Sequence, residues 1–176
     1  MNHKFIPILI LMFLLSVSCR QTTEQGQREN LSAKQLKEPL IKSNKYLTRS
    51  EKEDIDDYVK RYQLDLKSSG TGLLFTIEDK GKGRLVKYGD RVKISYTIHL
   101  LTGEKIYDSE LDGKLEFVAG KGGVPAGLEE GIIMMKLFDR AKLILPSHLA
   151  YGLLGDSNRI PPRSVLVYDI EIVEIQ

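Results

Sequence analysis

Few groups in this 176-residue sequence are suited to bond-making chemistry. The one cysteine, Cys19, and the three histidines, His3, His99 and His148, are scattered without any C-x-x-C or H-E-x-x-H spacing, so no metal centre is expected. A single thiol also excludes an intrachain disulfide. No serine occupies a G-x-S-x-G turn. Glu129 and Glu130 are adjacent on a helix-like stretch, so they do not face each other as an acid–base pair. Gly81 and Gly83, like Gly120, Gly122 and Gly123, match neither the phosphate-loop nor the dinucleotide fingerprint and read as turns. What remains is an aromatic and apolar set with very few polar members. Two of these are poor choices for a core: Asp108, beside Ile106 and Tyr107, and Tyr151, in a glycine-bounded loop. They point to a site that binds and orients, without nucleophile, metal or cofactor.

The elements that must hold such a site follow from the pattern along the chain. Lys+Arg of 26 against Asp+Glu of 24 gives a net charge of +2, which offers no basic footprint for nucleic acid. Residues 1–18 form a secretory leader: Lys4, an apolar run from Phe5 to Leu15, then Ser16, Val17 and Ser18. The run is too short to span a membrane. Cys19 follows as in a bacterial lipobox and is expected to be acylated, with an ordinary leader and an incidental cysteine as the alternative. Residues 19–47 read as the lipidated cysteine and a polar spacer, and 48–69 as a helix and linker. Within the latter, Ile55, Tyr58, Val59 and Tyr62 make an amphipathic helix over about 50 to 62, with capping boxes at Thr48–Glu51 or Ser50–Glu53. Its apolar stripe either packs on the next domain or pairs two copies. Residues 70–176 read as strands and turns. Val92, Ile94, Tyr96, Ile98 and Leu100 alternate with polar residues, one face buried and one wet, and Leu166, Tyr168, Ile170 and Ile172 fall on one face of the last strand. Only Gly127 to Met135 is helical in pattern. The expected class is α+β, an antiparallel sheet curled around one short helix.

The blocks Val92–Thr97, Gly103–Ser109, Gly127–Gly131, Leu149–Gly152, Ile160–Pro162 and Leu166–Ile172 carry a resemblance. In order and separation they resemble the FKBP family of peptidyl-prolyl cis-trans isomerases, over about residues 72 to 176. With the lipobox, spacer and helix, they look most like the gliding-motility-associated FKBP-type lipoproteins of Bacteroidota. The resemblance implies an antiparallel half β-barrel around a short helix, with the substrate groove between them. It implies Asp108 and Tyr151 as catalytic residues, and Tyr96, Tyr107, Leu115, Phe117, Val124, Leu128, Ile160 and Tyr168 as the substrate lining. For Tyr96, Phe117 and Tyr168, at inward strand positions, filling a core is an equal reading. The chemistry would be rotation about an X-Pro bond: Tyr151 donates to the carbonyl before proline, Leu128 floors the ring, and Asp108 orients its neighbours. Three departures stand out. Leu128 replaces the family's common Trp, Pro125 has no N–H where a backbone donor is often used, and no basic partner for Asp108 stands at the matching place near Asp112 and Gly113.

The resemblance implies a membrane-anchored foldase acting on proline-containing exported polypeptides in the periplasm. The alternative is a weakly active or inactive groove that serves a motility or secretion apparatus as a peptide-binding module. Resemblance to other bacterial lipoproteins links an Asp after the cysteine to inner-membrane retention; Arg20 and Gln21 stand there instead, which implies the outer membrane, facing the periplasm. The oligomeric state is left open.

Overall fold

A computed structural model describes residues 33–78 and 81–176. The leader, Cys19 and most of the expected spacer lie outside these residues. The chain divides into two units, 1–40 and 41–176.

Helix α1 runs Ala33–Arg61. It therefore begins well inside the expected spacer. Ala33, Gln35, Lys37 and Glu38 are good helix formers, so a helix forms there around Pro39 without needing a partner surface. Leu40, Ile41 and Tyr46 are accordingly exposed. The second half behaves differently: Ile55 is buried, with Tyr58 and Val59 packed beside it on Ile144, Val165 and Val167. The stripe is thus covered by the chain's own sheet. Tyr62, also expected in it, stays half exposed and lies against Tyr58, ring centroids 4.6 Å apart and planes tilted by 44°.

Strands β1 (Lys67–Ser68), β2 (Leu74–Glu78), β3 (Lys82–Leu85), β4 (Arg91–Leu100) and β5 (Lys105–Asp108) lead to the one-turn helix α2 (Ser109–Asp112). Then come β6 (Leu115–Val118), helix α3 (Ala126–Ile132), β7 (Lys136–Leu137), β8 (Arg140–Leu145), a 3-10 turn (Ser147–Leu149) and β9 (Leu166–Ile175). The main sheet is antiparallel in the order β1-β2-β8-β9-β4-β5, with β6 also on β4, while β3 and β7 form a separate ribbon. The period of two survives in the register: Ile98 opposes Tyr168, Tyr96 opposes Ile170, and Val92 opposes Phe117. Opposed residues share a face, so these all point to the concave side.

Helix α3 fills that concave side because two of its residues are glycines. A Cβ at Gly127 would meet Leu145 Cγ at 2.6 Å, and one at Gly131 would meet Leu143 Cδ1 at 2.6 Å. The helix ends at Ile132, earlier than the expected Met135, and turns take the chain on to β7. On the convex side α1 covers the end of β8–β9 and leaves the rest wet. Hence Ile144 and Val167 are buried, while Arg140–Glu171 and Lys142–Asp169 form cross-strand ion pairs at 2.8 and 2.5 Å. One face dry and one wet, the sequence expectation for β4, describes β8 and β9 only in part. It holds only beyond the reach of α1.

Candidate functional site

The eight residues expected to line a groove all meet on the concave side. Phe117, Leu128, Ile160 and Tyr168 are buried members of one apolar cluster, and Tyr96, Tyr107, Leu115 and Val124 are half-buried against it. The first four are core by burial, Leu128 and Tyr168 almost completely so, and the other four reach the surface beside them. Leu128 comes from α3, Phe117 from β6 and Tyr168 from β9, so helix and sheet both contribute. Tyr151 stands at the edge, 39% exposed, in the loop after the 3-10 turn.

The tyrosines sense one another. Burial pushes the Tyr168 hydroxyl well above its ordinary pKa, and Tyr151, Tyr96 and Tyr107 add to the rise. Burial likewise raises Tyr151, followed by the negative charge of Asp156. All four therefore keep their protons through neutral pH and remain hydrogen-bond donors.

The loop carrying Tyr151 is clasped to the opposite wall. The Tyr107 hydroxyl donates to Asp156 Oδ2, and Asn158 Nδ2 donates to the Tyr107 hydroxyl at 3.2 Å. Asp156 Oδ1 accepts the N–H groups of Asn158 and Ile160 at 2.9 and 2.8 Å. Arg159 lies over the Tyr107 ring, 4.1 Å from its centroid, donates to the Ile106 carbonyl at 2.9 Å and pairs with Asp112. Gly155 permits the tight path, since φ is +72° and a Cβ would sit 2.1 Å from the Ile160 carbonyl oxygen. Neither Asp156 nor Arg159 was singled out in the sequence. Their side-chain partners across the clasp, Tyr107 and Asp112, are tens of residues away, and no local pattern announces them.

Asp108 is placed differently from the other nine. The register pairs it with Thr97 and pairs Tyr107 with Ile98, so Asp108 belongs to the convex row that continues into Asp169 and Lys142. Its carboxylate accepts Lys105 Nζ at 2.7 Å and the N–H of Glu110 at 2.9 Å, which caps α2. Those two partners hold its pKa below the ordinary range. A basic partner therefore exists, three residues earlier on the same strand rather than near Gly113. A shallow concavity of about 780 Å³ on this side is lined by Asp108, Lys105, Lys142 and Asp169 among others. It shares only Tyr96 with the expected groove.

Residues 82–173 match the family described as FKBP-type peptidyl-prolyl cis-trans isomerase. The chain belongs to this family. It is 29% identical over 153 residues to a probable FKBP-type peptidyl-prolyl cis-trans isomerase of Haemophilus influenzae, covering 86% of this chain and 63% of that protein. It is 40% identical over 115 residues to FK506-binding protein 2 of Candida glabrata, covering 62% and 85% of the two chains. The crystal structure of FkpA from Escherichia coli superposes with a TM-score of 0.62 at 25% identity, over 99% of this chain and 83% of that one. The half barrel around α3 is thus the fold of an FKBP-type enzyme family.

Proposed function

We propose that the chain is a peptidyl-prolyl cis-trans isomerase that works as a lipid-anchored foldase on proline-containing exported polypeptides, on the periplasmic face of the outer membrane. Family membership supports the reaction, and the leader with Cys19 supports the address. The observation that carries the catalytic reading is Tyr151, a 39% exposed tyrosine whose hydroxyl lies beside that of Tyr168, a buried member of the same apolar cluster as Leu128 and Phe117.

Rotation about an X-Pro bond passes a twisted amide against a barrier of roughly 20 kcal/mol, with an uncatalysed time of roughly 10 to 100 s. No bond breaks and no proton moves. The planar amide is the more dipolar species, so a dry groove withdraws the water that favours it and the twisted form loses less. Tyr151 donates to the carbonyl before proline, Leu128 supports the ring, and Tyr96, Tyr107, Leu115, Val124 and Ile160 exclude water. Asp108 acts at one remove, by fixing the corner that carries Tyr107. The full-length protein in detergent is expected to accelerate isomerisation of a Leu-Pro peptide, and a rate equal to buffer overturns the reading. For the anchor, metabolic labelling with palmitate is expected to mark the native chain and not Cys19→Ala; equal labelling of both excludes Cys19.

One observation favours a second reading, a binding module of a gliding-motility or secretion apparatus. Pro125 caps α3 and carries no N–H, which removes a backbone donor beside Val124. Restoration of function in cells by a catalytically inactive variant would support that reading.

A further inference from the structure

Glu51 lies one turn before Ile55 on α1, on the face that packs against β8 and β9. Both of its carboxylate oxygens are taken by one residue. Oε1 accepts the backbone N–H of Ser147 at 3.0 Å, and Oε2 accepts the Ser147 hydroxyl at 2.6 Å. Ser147 opens the 3-10 turn directly after β8 and is 7% exposed. The first N–H of such a turn has no partner within it and is costly to bury unpaired. Here the partner arrives from a different element.

The carbonyl of the same serine accepts the N–H groups of Ala150 at 3.1 Å and Gly152 at 2.8 Å, the residues on either side of Tyr151. The Gly152 carbonyl in turn accepts the N–H of Arg163 at 2.8 Å. Ser147 is therefore a node, with Glu51 on one side and both flanks of Tyr151 on the other. The apolar contacts of Ile55, Tyr58 and Val59 already attach α1 to the sheet. Glu51 adds a charge-assisted, two-point hold at the residue from which the Tyr151 loop hangs.

We propose that Glu51 is a positioning residue of the isomerase site: through Ser147 it sets where the Tyr151 hydroxyl stands at the groove edge, which makes α1 part of the working site rather than a stalk. This rests on the reading that Tyr151 donates to the substrate carbonyl. It goes beyond that reading by placing control of the donor on the convex side, in an element outside the half barrel.

The test is a thermodynamic cycle in the full-length protein. Glu51→Ala, Glu51→Gln, Ser147→Ala and, as a control for helix packing, Ile55→Ala are assayed on a Leu-Pro peptide, with urea stability measured in parallel. Glu51→Ala is then repeated in a Tyr151→Phe background. Glu51→Ala is expected to lower kcat about five- to tenfold with little change in KM, the size of one lost charge-assisted hydrogen bond partly transmitted. Glu51→Gln, which keeps an acceptor for the Ser147 N–H, recovers most of the rate. Ser147→Ala falls between them, and Ile55→Ala loses stability without losing kcat. In the Tyr151→Phe background Glu51→Ala has no further effect on rate. Should Glu51→Ala leave kcat intact, or reduce it equally with and without the Tyr151 hydroxyl, the proposal is wrong while the Tyr151 reading stands. If Tyr151→Phe alone keeps the native rate, both fall together. Should Glu51→Ala not fold, Glu51→Gln and Ser147→Ala carry the same comparison.

Discussion

At the corner between β5 and α2 one carboxylate, Asp108, accepts both the Lys105 ammonium and the Glu110 N–H. Its convex register keeps it away from Tyr151, so its service to the groove is to hold Tyr107 in place. Asparagine caps a helix as well as aspartate does, whereas alanine does not. Asp108→Asn is therefore expected to retain most of the catalytic rate, while Asp108→Ala loses several-fold, read as kcat/KM on a Leu-Pro peptide. Equal losses in both would show that the negative charge, through its pair with Lys105 or on the substrate, matters beyond the cap. The sequence marked Asp108 as out of place in a core, and that was informative. What it did not disclose was the reason, because the acid's role as a cap depends on α2, a single turn with no period to detect. Most of the expected lining residues sit in a motif block or at an inward strand position; Val124, in the loop before α3, sits in neither. For Phe117 and Tyr168 the two readings, core or lining, stay level: both are buried members of the core, in contact with half-buried Tyr96, Tyr107, Leu115 and Val124.

The long strands β4 and β9 were legible through their alternation, and α3 through its spacing. The missed elements, β1, β3 and β7, have two to four residues each, too few to show a period. Helix α3 lies close to the sheet because of its glycines, and this gives a direct prediction. Gly127→Ala would drive a methyl into the fully buried Leu145, so it is expected to destabilise by about 1 to 3 kcal/mol despite alanine's better helix propensity. Urea unfolding measures this. Equal or greater stability would mean that the helix has room to move off the sheet. The clasp of Asp156, Tyr107, Arg159 and Asp112 is the other element-scale feature. It joins segments far apart in the chain, which is why no local reading found it.

Taken whole, the unit 41–176 has α3 under its sheet and the second half of α1 over one end of it. The sequence left open whether the stripe of α1 meets the sheet or a second copy, since an apolar face does not name its partner. Three acids are held below their ordinary pKa: Asp112 by Arg159, Asp108 on the convex row by Lys105, and Asp156, whose burial is outweighed by Tyr107 and backbone N–H groups. A lowered carboxylate contributes stability that is complete above its ordinary value, 3.8 for aspartate, and is lost as pH falls through the lower folded value. Urea midpoints are thus expected to stay flat from about pH 7 to about pH 5 and to fall below about pH 4. A midpoint that rises on acidification contradicts these pairings. The most direct test of the central claim is the isomerisation rate of a Leu-Pro peptide with the full-length protein, native and Tyr151→Phe, at equal folded concentration. The account predicts acceleration over buffer that drops about tenfold or more when the hydroxyl is removed, as expected for a donor that tightens in the transition state. Native acceleration unchanged in Tyr151→Phe would contradict it.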